Sequence, residues 1–265
     1  LSAPNTAFRV NSADDVADAA GCDSTHCSLR EAILAANASP GADAIEFSLA
    51  VPTVSPIAPL PEITEAVEID GRKGSPPFVV ETTRISGSSC AGNECDGFTL
   101  AEDGSGLSLS NLEIIGFPDD GIRLRGDESF VTSCLVGLKV DDTVAANEGS
   151  GIVIQGSDNV VGGAESERNY LSGNHQFGVH IFGSLTSFTS DNSIRGNFIG
   201  TDTSGALARG NGWSGVYVAA SDNNIIGNSV APNVISGNSI DGVHIADHHA
   251  VSTHSNLVMK NFIGC

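Results

Sequence analysis

Residues 191–200 read DNSIRGNFIG, and residues 255–264 read SNLVMKNFIG, so a ten-residue segment recurs after 64 positions. The same offset relates SGIVIQGSDN at residues 150–159 to SGVYVAASDN at residues 214–223. These segments align without an insertion. The chain therefore contains an internal repeat, which is typical of solenoids, propellers and other repeat architectures.

The 64-residue unit divides into shorter units. Short segments such as GIVI, GVHI and GVYV recur at intervals of 24–37 residues, and they begin at Gly97, Gly121, Gly151, Gly178, Gly215 and Gly242. Between them lie β-branched residues closed by Gly-Asn or Ser-Asp-Asn turns, which favour short strands. Roughly three strands per interval predict a parallel β-solenoid, whose strands stack about 4.8 Å apart.

Asparagines recur at the ends of the predicted strands. The alignment pairs Asn159 with Asn223, and Asn192 with Asn256. Asparagine tolerates the left-handed conformation that a corner requires, and its amide can bond the backbone. Amides stacked on successive coils can also bond each other in a ladder. We therefore predict asparagine ladders at the corners.

A helix is predicted near the N-terminus, within CSLREAILAANASPG at residues 27–41. Ser28 followed by Glu31 forms a capping box. Apolar residues then recur at helical spacing until Pro40 and Gly41, which end the helix.

The ends of a solenoid expose its core and therefore need caps. We expect residues 1–60 to form a strand-helix-strand cap that merges into one continuous solenoid over residues 61–265. The sequence shows no matching lid after the last repeat. Self-association through the coil at residues 256–264, as in a filament or complex, is therefore a further expectation.

The chain of 265 residues carries a formal net charge of −20. This charge argues against nucleic acid, whose phosphates require a surplus of lysine and arginine. It permits a cationic ligand such as calcium, although an acidic surface also keeps a large β-protein soluble. No apolar run approaches the roughly 18 residues of a membrane span. We predict no nucleic acid partner and no membrane span.

Four of the six cysteines form two close pairs in turn-rich segments, Cys22 with Cys27 and Cys90 with Cys95. Such neighbours reach disulfide geometry easily, and two disulfides imply an oxidising compartment. A four-cysteine zinc site is the alternative. Cys134 is expected to be a small buried residue, and Cys265 has no assignment.

CSLREAILAAN, followed by LPEITEAVEIDG at residues 60–71 and by NFIGTDTSGALARGNG, resembles a group of exported bacterial proteins. In that group a Cys-Ser-Leu-Arg-Glu-Ala segment precedes right-handed parallel β-helix repeats of the pectin-lyase type. The likeness covers nearly the whole chain. It implies an all-β, right-handed parallel β-helix and an extracellular or cell-surface location. Most members have no characterised role, so the resemblance implies no function.

One face of the predicted coil combines basic, aromatic and imidazole side chains. In GVHI, Val179 and Ile181 point inward, so His180 points outward. Two outward columns follow by the same alternation, Thr99, Arg123, Val153, His180, Tyr217 and His244 in the first, and Arg125, Gln155, Phe182, Ala219 and Ala246 in the second. We identify Arg123, Arg125, His180, Phe182, Tyr217 and His244 as the candidate ligand-binding residues.

The interpretation we favour is an exported scaffold with a structural, adhesive or glycan-binding role. In pectate lyases and galacturonases, which share the implied fold, the corresponding face forms the polysaccharide cleft. By analogy, Tyr217 and Phe182 could stack on sugar rings, while Arg123 and Arg125 could bind uronate carboxylates. Outward strand positions also favour aromatic residues simply because they pack on neighbouring strands.

A polysaccharide lyase, hydrolase or epimerase is the alternative function. Adjacent aspartates occur at Asp119-Asp120 and at Asp141-Asp142. Neither pair is followed by the Gly-His-Gly or Arg-Ile-Lys segments of the related hydrolases. Aspartate is also a common turn residue. The sequence therefore favours a protein that is not an enzyme.

A metal site is a weaker hypothesis. DGVHIADHHAVSTH clusters histidines and carboxylates, of which Asp241, Asp247, His248 and His249 are the candidate ligands for zinc or a similar ion. Adjacent histidines in a loop are often only solvated. The calcium-binding Gly-Gly-x-Gly-x-Asp repeat does not occur, so calcium is a cofactor that the acidic composition permits without a motif to hold it.

Overall fold

The computed structural model describes residues 6–48, 53–72, 82–184, 189–247 and 253–264. Within these ranges the chain forms one α-helix and three parallel sheets, with two short 3₁₀ turns. The helix and the two turns are α1 (Leu29–Ala38), Gly87–Ser89 and Glu165–Glu167.

The strands are given sheet by sheet in the order of their hydrogen-bonded neighbours. Sheet A contains β1 (Ala7–Val10), β2 (Asp43–Phe47), β4 (Val67–Asp70), β7 (Ser108–Ser110), β10 (Phe130–Thr132), β13 (Val160–Val161), β16 (Ser193–Ile194), β19 (Ile225–Ile226) and β22 (Leu257–Val258). Sheet B contains β3 (Thr53–Val54), β5 (Thr83–Ser86), β8 (Leu112–Ile115), β11 (Leu135–Val136), β14 (Tyr170–Leu171), β17 (Phe198–Ile199), β20 (Val234–Ile235) and β23 (Phe262–Ile263). Sheet C contains β6 (Phe98–Leu100), β9 (Ile122–Leu124), β12 (Ile152–Ile154), β15 (Val179–Phe182), β18 (Val216–Ala219) and β21 (Val243–Ala246).

Each coil of the repeat region contributes one strand to each sheet. Strands β16, β17 and β18 follow one another in sequence and belong to sheets A, B and C, and their next neighbours β19, β20 and β21 repeat that order. Val179 pairs with Val216, and Val216 pairs with Val243, all in parallel. The prediction of an all-β parallel solenoid with three strands per coil is confirmed.

The core runs along the inside of the coils. Each sheet turns alternate aliphatic side chains inward, and fully buried examples are Ile181 and Val218 from sheet C, Ile194 and Ile226 from sheet A, and Ile199 and Ile235 from sheet B. Burial of one such side chain stabilises the fold by roughly 1.5–3 kcal/mol relative to its exposure. The outward residues between them are therefore held on a rigid surface.

Asparagine ladders lie at the three corners of the coil, as predicted. In each ladder the side-chain amide donates to the amide oxygen of the next coil over 2.7–3.2 Å. Within the described ranges the ladders are Asn159–Asn192–Asn224–Asn256, Asn169–Asn197–Asn233–Asn261 and Asn147–Asn174–Asn211–Asn238. The amides thus supply hydrogen bonds to buried polar groups at the corners, which would otherwise have no partner.

The ladder corrects the alignment of Asn159 with Asn223. The residue in the ladder is Asn224, which is fully buried, whereas the side chain of Asn223 is exposed. Asn223 adopts a φ of 57°, the left-handed conformation that Asp158 and Asp191 adopt at the same place in earlier coils.

The reason is one extra residue at this corner. Ile152 and Val216 are two strands apart in sheet C with an offset of 64 residues, but Val160 and Ile225 are two strands apart in sheet A with an offset of 65. The following corner is one residue shorter, so the offset returns to 64 in sheet B. The expectation that no insertion is needed is therefore wrong for this corner.

The predicted N-terminal helix is present as α1 with its capping box. Ser28 accepts a hydrogen bond from the Glu31 backbone and Glu31 accepts one from the Ser28 backbone, so both halves of the capping box are present. Arg30 makes a two-point ion pair with Asp15. Strands β1 and β2 pair in parallel and continue sheet A, so the cap shares its hydrogen bonds with the solenoid.

Both predicted disulfides are present, Cys22–Cys27 and Cys90–Cys95. They exclude the alternative of a four-cysteine zinc site. Cys134 is a free, buried thiol as expected, and burial raises its pKa to about 12. Cys265 lies outside the described residues. Disulfides are typical of an oxidising compartment.

Across the part of the chain that the structure describes, no helix combines the length and the apolar character needed to cross a membrane.

Candidate functional site

The outer face of sheet C is the surface on which the candidate residues lie. Alternation along its strands buries the first and third residues and turns the second outward. The pairing of successive strands aligns Arg123 with Val153, Val153 with His180, His180 with Tyr217, and Tyr217 with His244. These five residues therefore form one column along the solenoid.

Six rings meet at the C-terminal half of this face. We name this group the aromatic platform, and its members are Phe177, His180, Phe182, Trp213, Tyr217 and His244. The ring of Phe177 stacks on that of Tyr217, with centroids 4.8 Å apart and planes inclined by 16°. His180 stacks on Phe182 at 5.1 Å, and the His180 and Tyr217 centroids are 5.2 Å apart. The rings are thus continuous across three coils.

Phe177 and Trp213 are members of the platform that sequence reasoning missed. Phe177 lies immediately before Gly178, at the corner position where other coils carry Ser150 or Ser214, and the Trp213 ring contacts it edge-on at 4.9 Å. Phe177 and Trp213 both precede their strands, so the alternation along a strand does not predict where their side chains point. A large aromatic residue where the other coils carry serine or aspartate is the signal that could have identified Phe177.

The platform is partly open to solvent. Phe177 is 8% exposed and forms its base, whereas Trp213 is 45% exposed. Tyr217, His180 and Phe182 are half-buried. Aromatic pairs at these distances stabilise each other by about 0.5–1.5 kcal/mol beyond simple burial. The rings therefore form a fixed surface before any ligand arrives.

The N-terminal half of the same face carries a different chemistry. Arg123 donates through Nε to Asp96 Oδ2 at 2.8 Å, and through Nη2 to Asp120 Oδ2 at 2.6 Å and Asp119 Oδ2 at 3.2 Å. Asp96 belongs to the preceding coil. The guanidinium is therefore neutralised by three carboxylates that the chain itself supplies.

Burial sets the protonation of this carboxylate cluster. It raises the pKa of Asp120 to about 7, against the opposing effect of Arg123. The pKa of Asp119 is also raised, first by burial and then by the charge of Asp96. Asp120 Oδ1 accepts a hydrogen bond of 2.6 Å from the Ser150 backbone. The site thus holds a carboxyl group that changes charge near neutral pH.

A groove of about 450 Å³ lies over the carboxylate cluster, and its walls include Leu60, Glu62, Glu94, Asp96, Asp119, Arg123, Arg125 and Gln155. Arg125 forms an ion pair with Glu62 across this groove. Both candidate arginines are therefore engaged by carboxylates, and the groove is predominantly acidic.

The candidate metal ligands near the C-terminus make separate contacts. Asp241 Oδ2 lies 2.8 Å from His244 Nδ1, and Asp247 Oδ1 accepts from the Thr253 backbone at 2.8 Å. His248 and His249 lie outside the described residues. The described chain does not bring Asp241 and Asp247 into one group of ligands.

Two groups of described side chains have ligand atoms close enough to share a cation. One is Asp96 with Asp119 and Asp120, where a calcium ion would compete with the Arg123 guanidinium that already contacts all three. The other is Asp18 with His26 and Glu31 in the N-terminal cap. Sequence reasoning identified neither, because their members are separated by up to 24 residues.

Comparison with known families gives a match to the right-handed beta helix region over residues 96–265. The chain belongs to this family. The match includes the whole of sheet C, and it confirms the hand of the β-helix that the sequence resemblance implied. No curated protein shows significant sequence similarity to the chain. The site of this β-helix therefore has to be interpreted from its own geometry.

Proposed function

We propose that this β-helix is an extracellular scaffold that binds a polysaccharide or surface glycan through the aromatic platform. The observation that carries the proposal is the continuous stack of Phe177, Tyr217 and His180, with Trp213 exposed at its edge. The two disulfides and the absence of a membrane-spanning helix in the described chain are compatible with an exported protein.

Sugar rings present flat faces of C–H groups, which are apolar enough to gain free energy when an aromatic ring covers them. The platform extends over the strands β15, β18 and β21, which stack about 4.8 Å apart. Three strands span two such spacings, about 10 Å, which leaves room for a short oligosaccharide. Because the rings are already packed, little conformational entropy is lost on binding.

The charges around the platform favour a neutral glycan over a uronate. Arg123 and Arg125 are paired with carboxylates, and Asp241 faces the imidazole of His244. The whole chain carries a net charge of −20. A polyuronate would meet this negative field, and the guanidinium groups of Arg123 and Arg125 are already paired with carboxylates. The expected ligand is therefore an uncharged oligosaccharide.

The aromatic platform can be tested by removing its rings. Tyr217→Ala and Trp213→Ala are each expected to lower the affinity for a neutral oligosaccharide about tenfold or more, because either change removes a stacking surface. Tyr170→Ala is the matched control, since Tyr170 packs on Phe198 in sheet B, on another face of the coil. Glycan arrays and isothermal titration would measure the change.

If the control Tyr170→Ala lost as much affinity as Tyr217→Ala and Trp213→Ala, the proposal would be contradicted. Unchanged affinity in all three variants would contradict it as well. Tighter binding of polygalacturonate than of neutral glycans would contradict the charge argument alone.

A polysaccharide-active enzyme is the second candidate, and the pKa of Asp120 favours it. A buried carboxyl group with a pKa of about 7 can act as a proton donor or acceptor at neutral pH, and Asp119 and Arg123, which lie next to Asp120, line a groove that could admit a chain. If this function is correct, incubation with a panel of neutral and acidic polysaccharides should release reducing or unsaturated ends. Asp120→Asn should reduce that rate at least a hundredfold, and no product from any substrate would exclude the activity for that panel.

Self-association through the coil at residues 256–264 stays a prediction. Growth of the mass with protein concentration would test it.

A further inference from the structure

A cluster of metal-ligating side chains lies in the N-terminal cap, far from the aromatic platform. The segment at residues 11–27 is irregular and folds over the first turn of α1. His26 in this segment faces Glu31 of the helix, with Nδ1 3.0 Å from Oε2, and it faces Asp18 with Nδ1 3.6 Å from Oδ2. The three ligand atoms lie within 4.8 Å of one another.

The His26 ring is oriented by a fourth residue. Its Nε2 lies 3.1 Å and 3.2 Å from the two carboxylate oxygens of Asp14. A carboxylate can only accept, so Nε2 carries the proton in this contact. In the neutral imidazole, Nδ1 then presents a lone pair toward Glu31 and Asp18. A carboxylate that fixes the far nitrogen is the usual partner of a histidine bound to a metal.

His26 Nδ1 is a buried atom that makes no hydrogen bond, although Glu31 Oε2 is only 3.0 Å away. Two ligands of one tetrahedral zinc ion lie about 3.4 Å apart, since the metal is about 2.1 Å from each of them. The distances of 3.0 Å and 3.6 Å from His26 Nδ1 to Glu31 and Asp18 lie on either side of this value. The close but unbonded contact is therefore the arrangement of two neighbouring ligands around one ion.

Glu31 is suited to a structural role at this place. Its side chain is 2% exposed, and its oxygens already accept from the backbones of Ser28 and Asp18 at 2.8 Å. The second lone pair of Oε2 is available to a cation. The imidazole of His26 lies between this carboxylate and those of Asp14 and Asp18.

We propose that His26, Glu31 and Asp18 bind a divalent cation of the zinc class, which ties the segment at residues 11–27 to the start of α1. A nitrogen ligand selects zinc and similar transition metals over calcium and magnesium, which prefer oxygen ligands only. Three protein ligands leave the fourth position to water. The cation therefore acts as a clamp in the cap alongside the Cys22–Cys27 disulfide.

Protons compete with the metal for His26. An imidazole must be deprotonated to bind a metal, so metal affinity is expected to fall as the pH decreases below neutrality.

Titration of metal-free protein with ZnCl₂ at pH 7.5 tests the site. We expect His26→Gln to remove one zinc ion per chain from the binding stoichiometry and to abolish the visible absorption of bound Co²⁺. Zinc at a hundredfold excess over its Kd should raise the Tm of the wild-type protein by about 5 °C. Asp14→Ala should weaken binding about tenfold, because it removes the acceptor that orients the ring.

His175→Gln is the matched control, since His175 also pairs with a glutamate, Glu148, but both are exposed. It should leave zinc binding unchanged. If His26→Gln does not fold, Asp18→Asn gives the same test, because its Oδ1 can still accept from the backbones of Ala20 and Gly21. Unchanged zinc stoichiometry in a folded His26→Gln or Asp18→Asn protein would overturn the proposal, as would a response to Ca²⁺ alone.

Discussion

Replacing Asn224 by aspartate is expected to lower the free energy of unfolding by about 3 kcal/mol or more at neutral pH. Asn224 is fully buried in the ladder, and its Nδ2 donates to Asn256 Oδ1 at 2.7 Å and to Ser221 Oγ at 2.8 Å. A carboxylate cannot donate either bond. It would also place an unpaired charge opposite the oxygen of Asn256. Chemical denaturation followed by circular dichroism would measure the loss.

The same change at the adjacent Asn223 is the control. Asn223 is exposed, and earlier coils carry Asp158 and Asp191 at its place with the same left-handed backbone. Asn223→Asp should therefore alter the free energy of unfolding by no more than about 0.5 kcal/mol. At acidic pH the buried acid can donate again, so the cost of Asn224→Asp should shrink. Equal costs at the two positions would show that our register of the ladder is wrong.

Arg123→Gln is the second change with a large expected effect. It leaves Asp96, Asp119 and Asp120 facing one another without a cation, and Asp120 is only 6% exposed. Removal of one partner from a buried ion cluster typically costs about 3–5 kcal/mol. We expect a loss of about 3 kcal/mol at pH 8, measured by denaturation.

The loss should depend on pH with a defined sign. The pKa of Asp120 in the folded protein, about 7, lies above its unfolded value of 3.8, so its contribution to stability is complete below pH 3.8 and is lost as the pH rises to 7. Without Arg123 the folded pKa rises further, so the decline continues to a higher pH and the total loss is larger. The variant should therefore approach wild-type stability near pH 4 and fall furthest behind above pH 7.

Arg125→Gln provides the comparison for this experiment. Arg125 is two residues after Arg123 and also forms an ion pair. Its partner Glu62, however, is more than half exposed. Exposed ion pairs stabilise proteins by about 0–1 kcal/mol, so the change should be small at every pH. A penalty for Arg123→Gln that is independent of pH would contradict the electrostatic origin that we assign to it.

The proposed zinc site and the aromatic platform depend on residues that do not follow the repeat of the coils. His26 and Glu31 are separated by five positions, yet their contact depends on the irregular path of residues 11–27 over the helix. Phe177 and Trp213 occupy corners, where no alternation rule fixes the direction of a side chain. Their participation could be seen only once the coils were stacked.

The sequence by itself determined the period of the coil, the inward and outward faces of its strands, the capped helix and the two local disulfides. Each of these features depends either on residues close together in the sequence or on an alternation that recurs in every coil, so it can be predicted from the sequence alone. The tertiary structure alone decided which residues of different coils meet, such as Arg123 with Asp96 and Asn192 with Asn224. One corner is a residue longer in the second copy and the next corner is a residue shorter, so the strand between them is shifted by one position while the 64-residue repeat of the sequence is kept.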